Sequence, residues 1–86
     1  MFKKLMNIKC QVTFKYLGRF VGTAYYHNHK VELDLTGRDN IAKTFLHELI
    51  HLHKPKWSEV KVLREEERLW KSLTHKQVWR IYAKLA

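Results

Sequence analysis

A single cysteine, Cys10, in a chain of 86 residues closes the route many very small domains take to stay folded. No intramolecular disulfide can form, so stability must come from one small core or from a bound metal. The length suits one domain, residues 1–86, and leaves no room for a second core. Such a chain buries only about 60–65% of the surface that its unfolded form exposes. It has the means to fold: 45% of its residues are hydrophobic and 13% aromatic, against three glycines and one proline. That composition disfavours disorder.

The hydrophobic periodicity changes midway along the chain. Ile8 to Leu17 interleaves β-formers (Val12, Thr13, Phe14, Tyr16) with polar residues and reads as a half-buried strand. Met1 to Asn7 is either an extension of that strand or a short helical turn. After Gly18-Arg19, Phe20 to Tyr26 and Lys30 to Leu35 form a second pair of strands. Asn28-His29 is a two-residue turn between them, with asparagine able to take positive φ. Thr36-Gly37-Arg38-Asp39 ends the strand pattern, and Asp39 is a natural N-cap. From Asn40 to about His53 the apolar residues Ile41, Phe45, Leu46, Leu49 and Ile50 keep helical spacing until Pro55. Ser58 can cap a second helix with Val62, Leu63, Leu69, Trp70 and Leu73 on its apolar side. Thr74 and Gln77 have capping-box spacing, which predicts a third helix over His75 to Leu85. The expected fold class is α+β: a small antiparallel sheet from the first half, packed against two or three helices.

No apolar run approaches the roughly 18–20 residues of a membrane span. The opening residues, Met1 to Asn7, carry basic charge but no following apolar h-region, so they do not read as a signal peptide. With one unpaired cysteine, the expected setting is reducing and cytoplasmic. The net charge of +9 raises nucleic acid or an acidic protein as partners. Lysines and arginines are spread from Lys3 and Lys4 to Arg80 and Lys84, which suits a solvated surface more than a binding stripe.

Residues 47 to 51 read His-Glu-Leu-Ile-His. Histidines four apart on a helix share one face, so both imidazoles can reach one Zn²⁺. Glu48 is turned by about 100° from His47 and can contact water bound at the metal. Zinc acidifies such water to a pKa near 7, and a neighbouring carboxylate can take its proton as it attacks a carbonyl carbon. A chance pattern on an amphipathic helix is the bland alternative. The motif's place within an independently expected helix, amid apolar residues, argues against it.

A catalytic zinc needs three protein ligands and an open position. The long metzincin pattern fails, because Lys54 and Trp57 stand where it requires glycine and histidine. His53 is turned about 200° from His51 on a continuing helix, and suits a polar helix end better. Glu66 lies in the middle of the apolar stripe of the second helix. A carboxylate buried there needs a partner, and a metal or an internal salt bridge could provide it. Glu66 is therefore the preferred third ligand. Glu59, also suited to a plain role as a first-turn acid, is the weaker alternative.

His47-Glu48-Leu49-Ile50-His51, then Pro55, Trp57-Ser58-Glu59 and a helix carrying a glutamate, resembles the minimal gluzincin-type zincins, small zinc metallopeptidases of bacterial and phage type. The resemblance spans roughly Tyr25 to Leu73. It implies a zincin-like active-site helix, with His47, His51 and Glu66 holding Zn²⁺ and Glu48 as general base. The activity implied is hydrolysis of peptide bonds in a peptide or protein substrate. It also implies that an edge strand from the Phe20 to Leu35 hairpin pairs with extended substrate. The oxyanion-stabilising residue stays open among Tyr25, Tyr26, His75 and Tyr82. The alternative function is a non-catalytic module, held together by zinc, that binds nucleic acid or an acidic protein.

Overall fold

A computed structural model describes residues 1–16, 22–25, 27–35 and 40–85. In chain order its elements are α1 (Phe2–Met6), β1 (Gln11–Lys15), β2 (Gly22–Tyr25), β3 (Lys30–Asp34), α2 (Ile41–His53), α3 (Glu59–Ser72) and α4 (His75–Leu85). The class is α+β, with Met1 to Asn7 taking the helical option as α1.

The sheet has the order β1-β3-β2 and is mixed rather than antiparallel throughout. β2 runs antiparallel to β3, with Ala24 opposite Val31 and Tyr25 opposite Lys30. β1 runs parallel to β3, pairing Val12 with Val31 and Phe14 with Leu33. The physical reason is burial. β3 carries Val31 and Leu33, both essentially inaccessible, and so takes the protected middle place. β1 and β3, the first and third strands of an up-down-up succession, then become neighbours pointing the same way. The turn falls at residues 27–29, and positive φ is taken by His29 (φ 46°), not by Asn28.

Local capping chemistry sets the helix boundaries. Asn40 is the N-cap of α2, its Oδ1 accepting from the Ala42 amide at 2.9 Å. The expected cap, Asp39, lies outside the described residues, as do the expected strand residues 17–21 and Tyr26. Ser58 caps α3 by accepting from the Lys61 amide. Thr74 and Gln77 form the reciprocal box that starts α4: the Thr74 amide donates to Gln77 Oε1 at 2.8 Å and the Gln77 amide to Thr74 Oγ1 at 3.2 Å.

α2 is the central element, packed against α1, α3, α4, β2 and β3. Its Phe45, Leu46, Leu49 and Ile50 are fully buried together with Leu5, Val31, Val62 and Ile81. Each such side chain contributes roughly 1.5–3 kcal/mol through burial, which makes this one cluster the source of the fold's stability. α3 is covered on one side only, so its buried stripe is narrow: Val62, Glu66 and Leu69. Leu63, expected on the apolar side, is 46% exposed on the flank. Among the described residues no helix is long and apolar enough to cross a membrane.

Candidate metal centre

The motif helix α2 and the helix that follows it form an antiparallel hairpin around the turn at residues 54–58. Trp57 braces that turn, with Lys61 Nζ 4.4 Å and Lys54 Nζ 5.7 Å from its ring centre. In such a hairpin the end of the first helix faces the start of the second. His51, in the last turn of α2, is therefore opposite the first turn of α3. His47, one turn earlier, is opposite a position deeper in α3.

The histidines stack edge to face, with ring centres 4.8 Å apart and their Nε2 atoms 3.1 Å apart. Glu59, the first residue of α3, reaches both. Its Oε1 lies 2.7 Å from His47 Nε2 and its Oε2 lies 2.8 Å from His51 Nε2. One ligand-capable atom from each of His47, His51 and Glu59 falls within 4.8 Å of the others.

Glu66 is buried, as its place in the stripe predicts, but it meets the other side of the His47 ring. Its Oε1 lies 2.7 Å from His47 Nδ1. Its Oε2 is 3.8 Å from Lys43 Nζ, which also pairs with Glu67. Glu66, the expected third ligand, therefore stands apart from the paired Nε2 atoms, on the Nδ1 side of His47. Glu59, the weaker alternative in the sequence, is the carboxylate grouped with the two Nε2 atoms. The signal for it was present, as a first-turn acid just past a helix cap and a short proline-containing turn.

Glu48 is 4% exposed. Its carboxyl is pushed up to about 7, chiefly by burial and further by the negative charges of Glu59 and Glu66, against the opposing influence of His47. Its Oε1 lies 3.9 Å from His47 Nε2. β2 closes over it: a Cβ placed on Gly22 would sit 2.9 Å from Glu48 Cγ and 3.2 Å from the Glu32 carbonyl oxygen. Glycine is what lets the strand backbone approach the carboxylate so nearly.

The other candidates lie outside the His47–His51–Glu59 group. Tyr25 hydrogen-bonds Glu32, and Tyr82 donates to Asn40 Oδ1 at 3.3 Å. His75 is exposed at the start of α4. His53 has its pKa lowered by burial and by the positive charges of Lys54, Lys4 and the N-terminus.

The donor set fits a divalent ion. His47 faces a carboxylate at each ring nitrogen, an arrangement that either an imidazolium donating from both nitrogens or a cation on the Nε2 side would satisfy. A cation among the two Nε2 atoms and Glu59 would replace bridging protons and leave the His47 Nδ1–H to donate to Glu66. This is the carboxylate–histidine support common at metal sites. Two nitrogens and a carboxylate suit zinc, with a fourth position left over. Compared with protein-family models, curated proteins and solved structures, the chain matches none of them.

Proposed function

We propose that this protein is a zinc-dependent peptide hydrolase, in which His47, His51 and Glu59 hold the ion, Glu66 orients His47, and Glu48 is the general base. One observation carries the reading: two imidazole nitrogens and a carboxylate converge beside a buried carboxyl group whose pKa is raised to about 7. When bound, zinc supplies Lewis acidity, polarising a carbonyl and making water a better nucleophile near neutral pH.

The chain's own residues supply the rest. Glu48, buried with its Oε1 3.9 Å from His47 Nε2, is placed to take a proton from attacking water and return it to the departing amine. The Lys43–Glu66–His47 chain holds the imidazole with Nε2 facing Glu59. β3 is the middle strand and β2 an edge strand of the described sheet, so β2 is the member of the hairpin with backbone groups able to pair with an extended peptide. Gly22 places that strand directly against Glu48.

The test is a pair of measurements on the purified chain: bound zinc, and cleavage of an unfolded protein substrate. Glu48→Gln is expected to retain one zinc per chain and to lose at least about a hundredfold in cleavage rate. Cleavage that survives the substitution would remove Glu48 as the base. Zinc retention without cleavage in the wild type would favour the binding module held together by its metal.

A further inference from the structure

Basic residues run along the whole sequence, but acidic ones do not. Residues 1–31 contain six lysines and arginines and no aspartate or glutamate; the residues after Glu67 contain five and none. All eight acids lie between Glu32 and Glu67, among six basic residues. The fold brings the two acid-free ends together. α1 packs on α4, the Arg80 guanidinium lies 5.5 Å from the Phe2 ring centre, and Lys84 Nζ donates to the Ile8 carbonyl.

α4 buries Ile81 and turns the opposite side outward. At 100° per residue, Trp79 stands near the middle of that outer side, with Lys76 and Arg80 on one flank and Tyr82 on the other. Trp79 is 73% exposed and Tyr82 40%. Lys3 and Lys4 are exposed on the adjoining α1. An indole so accessible, set among cations with no carboxylate on either helix, offers a stacking platform within a positive field.

We infer that the α1–α4 face binds single-stranded nucleic acid, with Trp79 stacking on an unpaired base and Lys76, Arg80, Lys3 and Lys4 contacting flanking phosphates. Charge complementarity selects a polyanion. The lone indole selects one with an exposed π-face, because stacking on aromatic side chains is available to unpaired bases but not to bases within a duplex. An anionic membrane is the poorer match, since Lys76 and Arg80 line one flank of Trp79 and the only other large exposed ring on α4 is Tyr82, which carries a hydroxyl. This inference is independent of the metal centre, which lies on α2 and α3.

The test is fluorescence anisotropy of a labelled oligo-dT of about 20 nucleotides, enough to span one such site. The wild type is expected to bind at low salt, with affinity falling steeply as salt rises. Trp79→Ala should weaken binding by roughly 5–150-fold, the loss of one base stack, while bound zinc stays unchanged. Lys76→Gln combined with Arg80→Gln should reduce the log–log salt slope by about 1.4, two phosphate contacts on a single strand. Absence of binding at low salt, or an unaltered affinity in Trp79→Ala, overturns the inference. So does equal affinity for a duplex or polyglutamate, or displacement of the oligonucleotide by phosphatidylserine vesicles. Circular dichroism checks that each variant keeps its helices.

Discussion

The α2–α3 hairpin and the α1–α4 face use charge in opposite ways. In the hairpin, buried Glu48 and Glu66 and the two imidazoles meet the more exposed Glu59 and Glu67 at short range, and several of these contacts are made between named pairs of atoms. On the other face Lys3, Lys4, Lys76 and Arg80 are exposed, with no acid on either helix. Buried groups at short range interact strongly and are little screened by salt, whereas exposed ones act as a field over about a Debye length. Single-atom changes should therefore matter in the hairpin, and total charge on the α1–α4 face.

The sharpest way to break that contrast is to test Glu59 and Glu66 of α3 as zinc partners. Glu59→Ala, removing a ligand, should weaken zinc binding by more than the roughly 10–100-fold typical of an outer-shell partner, and Glu66→Gln by about that amount. Equal losses, measured by competition with a chelator of known affinity, would mean that the two carboxylates are not in different shells.

Next in size is the pH dependence of the metal-free fold. Glu48 ionises at about 7 in the folded chain against 4.5 ordinarily, so the folded state holds its proton over a range where the unfolded state has lost it. Stability from this group is present below pH 4.5 and is lost as pH rises through 7, by about 3 kcal/mol in order of magnitude. Urea denaturation in chelator should show Glu48→Gln gaining on the wild type across that window. A constant difference between the two would show that the burial of Glu48 carries no such cost.

Gly22→Ala should cost about 1–3 kcal/mol by overpacking against Glu48 and the Glu32 carbonyl, read as a lower urea midpoint. Smallest are substitutions on the basic face: Lys3→Gln and Lys76→Gln should each change stability by less than about 0.5 kcal/mol. A larger change would mean that this face is structural.

The features legible in the sequence were the local ones. The start of α4 followed from a side chain and an amide three residues apart, Thr74 and Gln77, which need no tertiary context. The burial of Glu66 followed from its place between Val62 and Leu69. Which imidazole nitrogen it would meet did not follow, because that depends on the rotation and offset of α3 against α2. The place of Glu59 is hidden for the same reason: its ordinary role as a first-turn acid is visible along the chain, and the fold-back that carries it to both histidines is not. Sheet order was hidden as well. Placing β3 between its neighbours is a long-range choice, and short connections suggest a simple meander equally well. The spread of lysines and arginines concealed a segregation that becomes apparent only from the acids.

Because α2 touches nearly every other element, the two histidines and the residues that keep water out of the interior belong to one rigid rod. Melting α2 would part the histidines and open the core together. Heating should therefore abolish metal retention and helical signal in a single concerted transition, at one temperature for both.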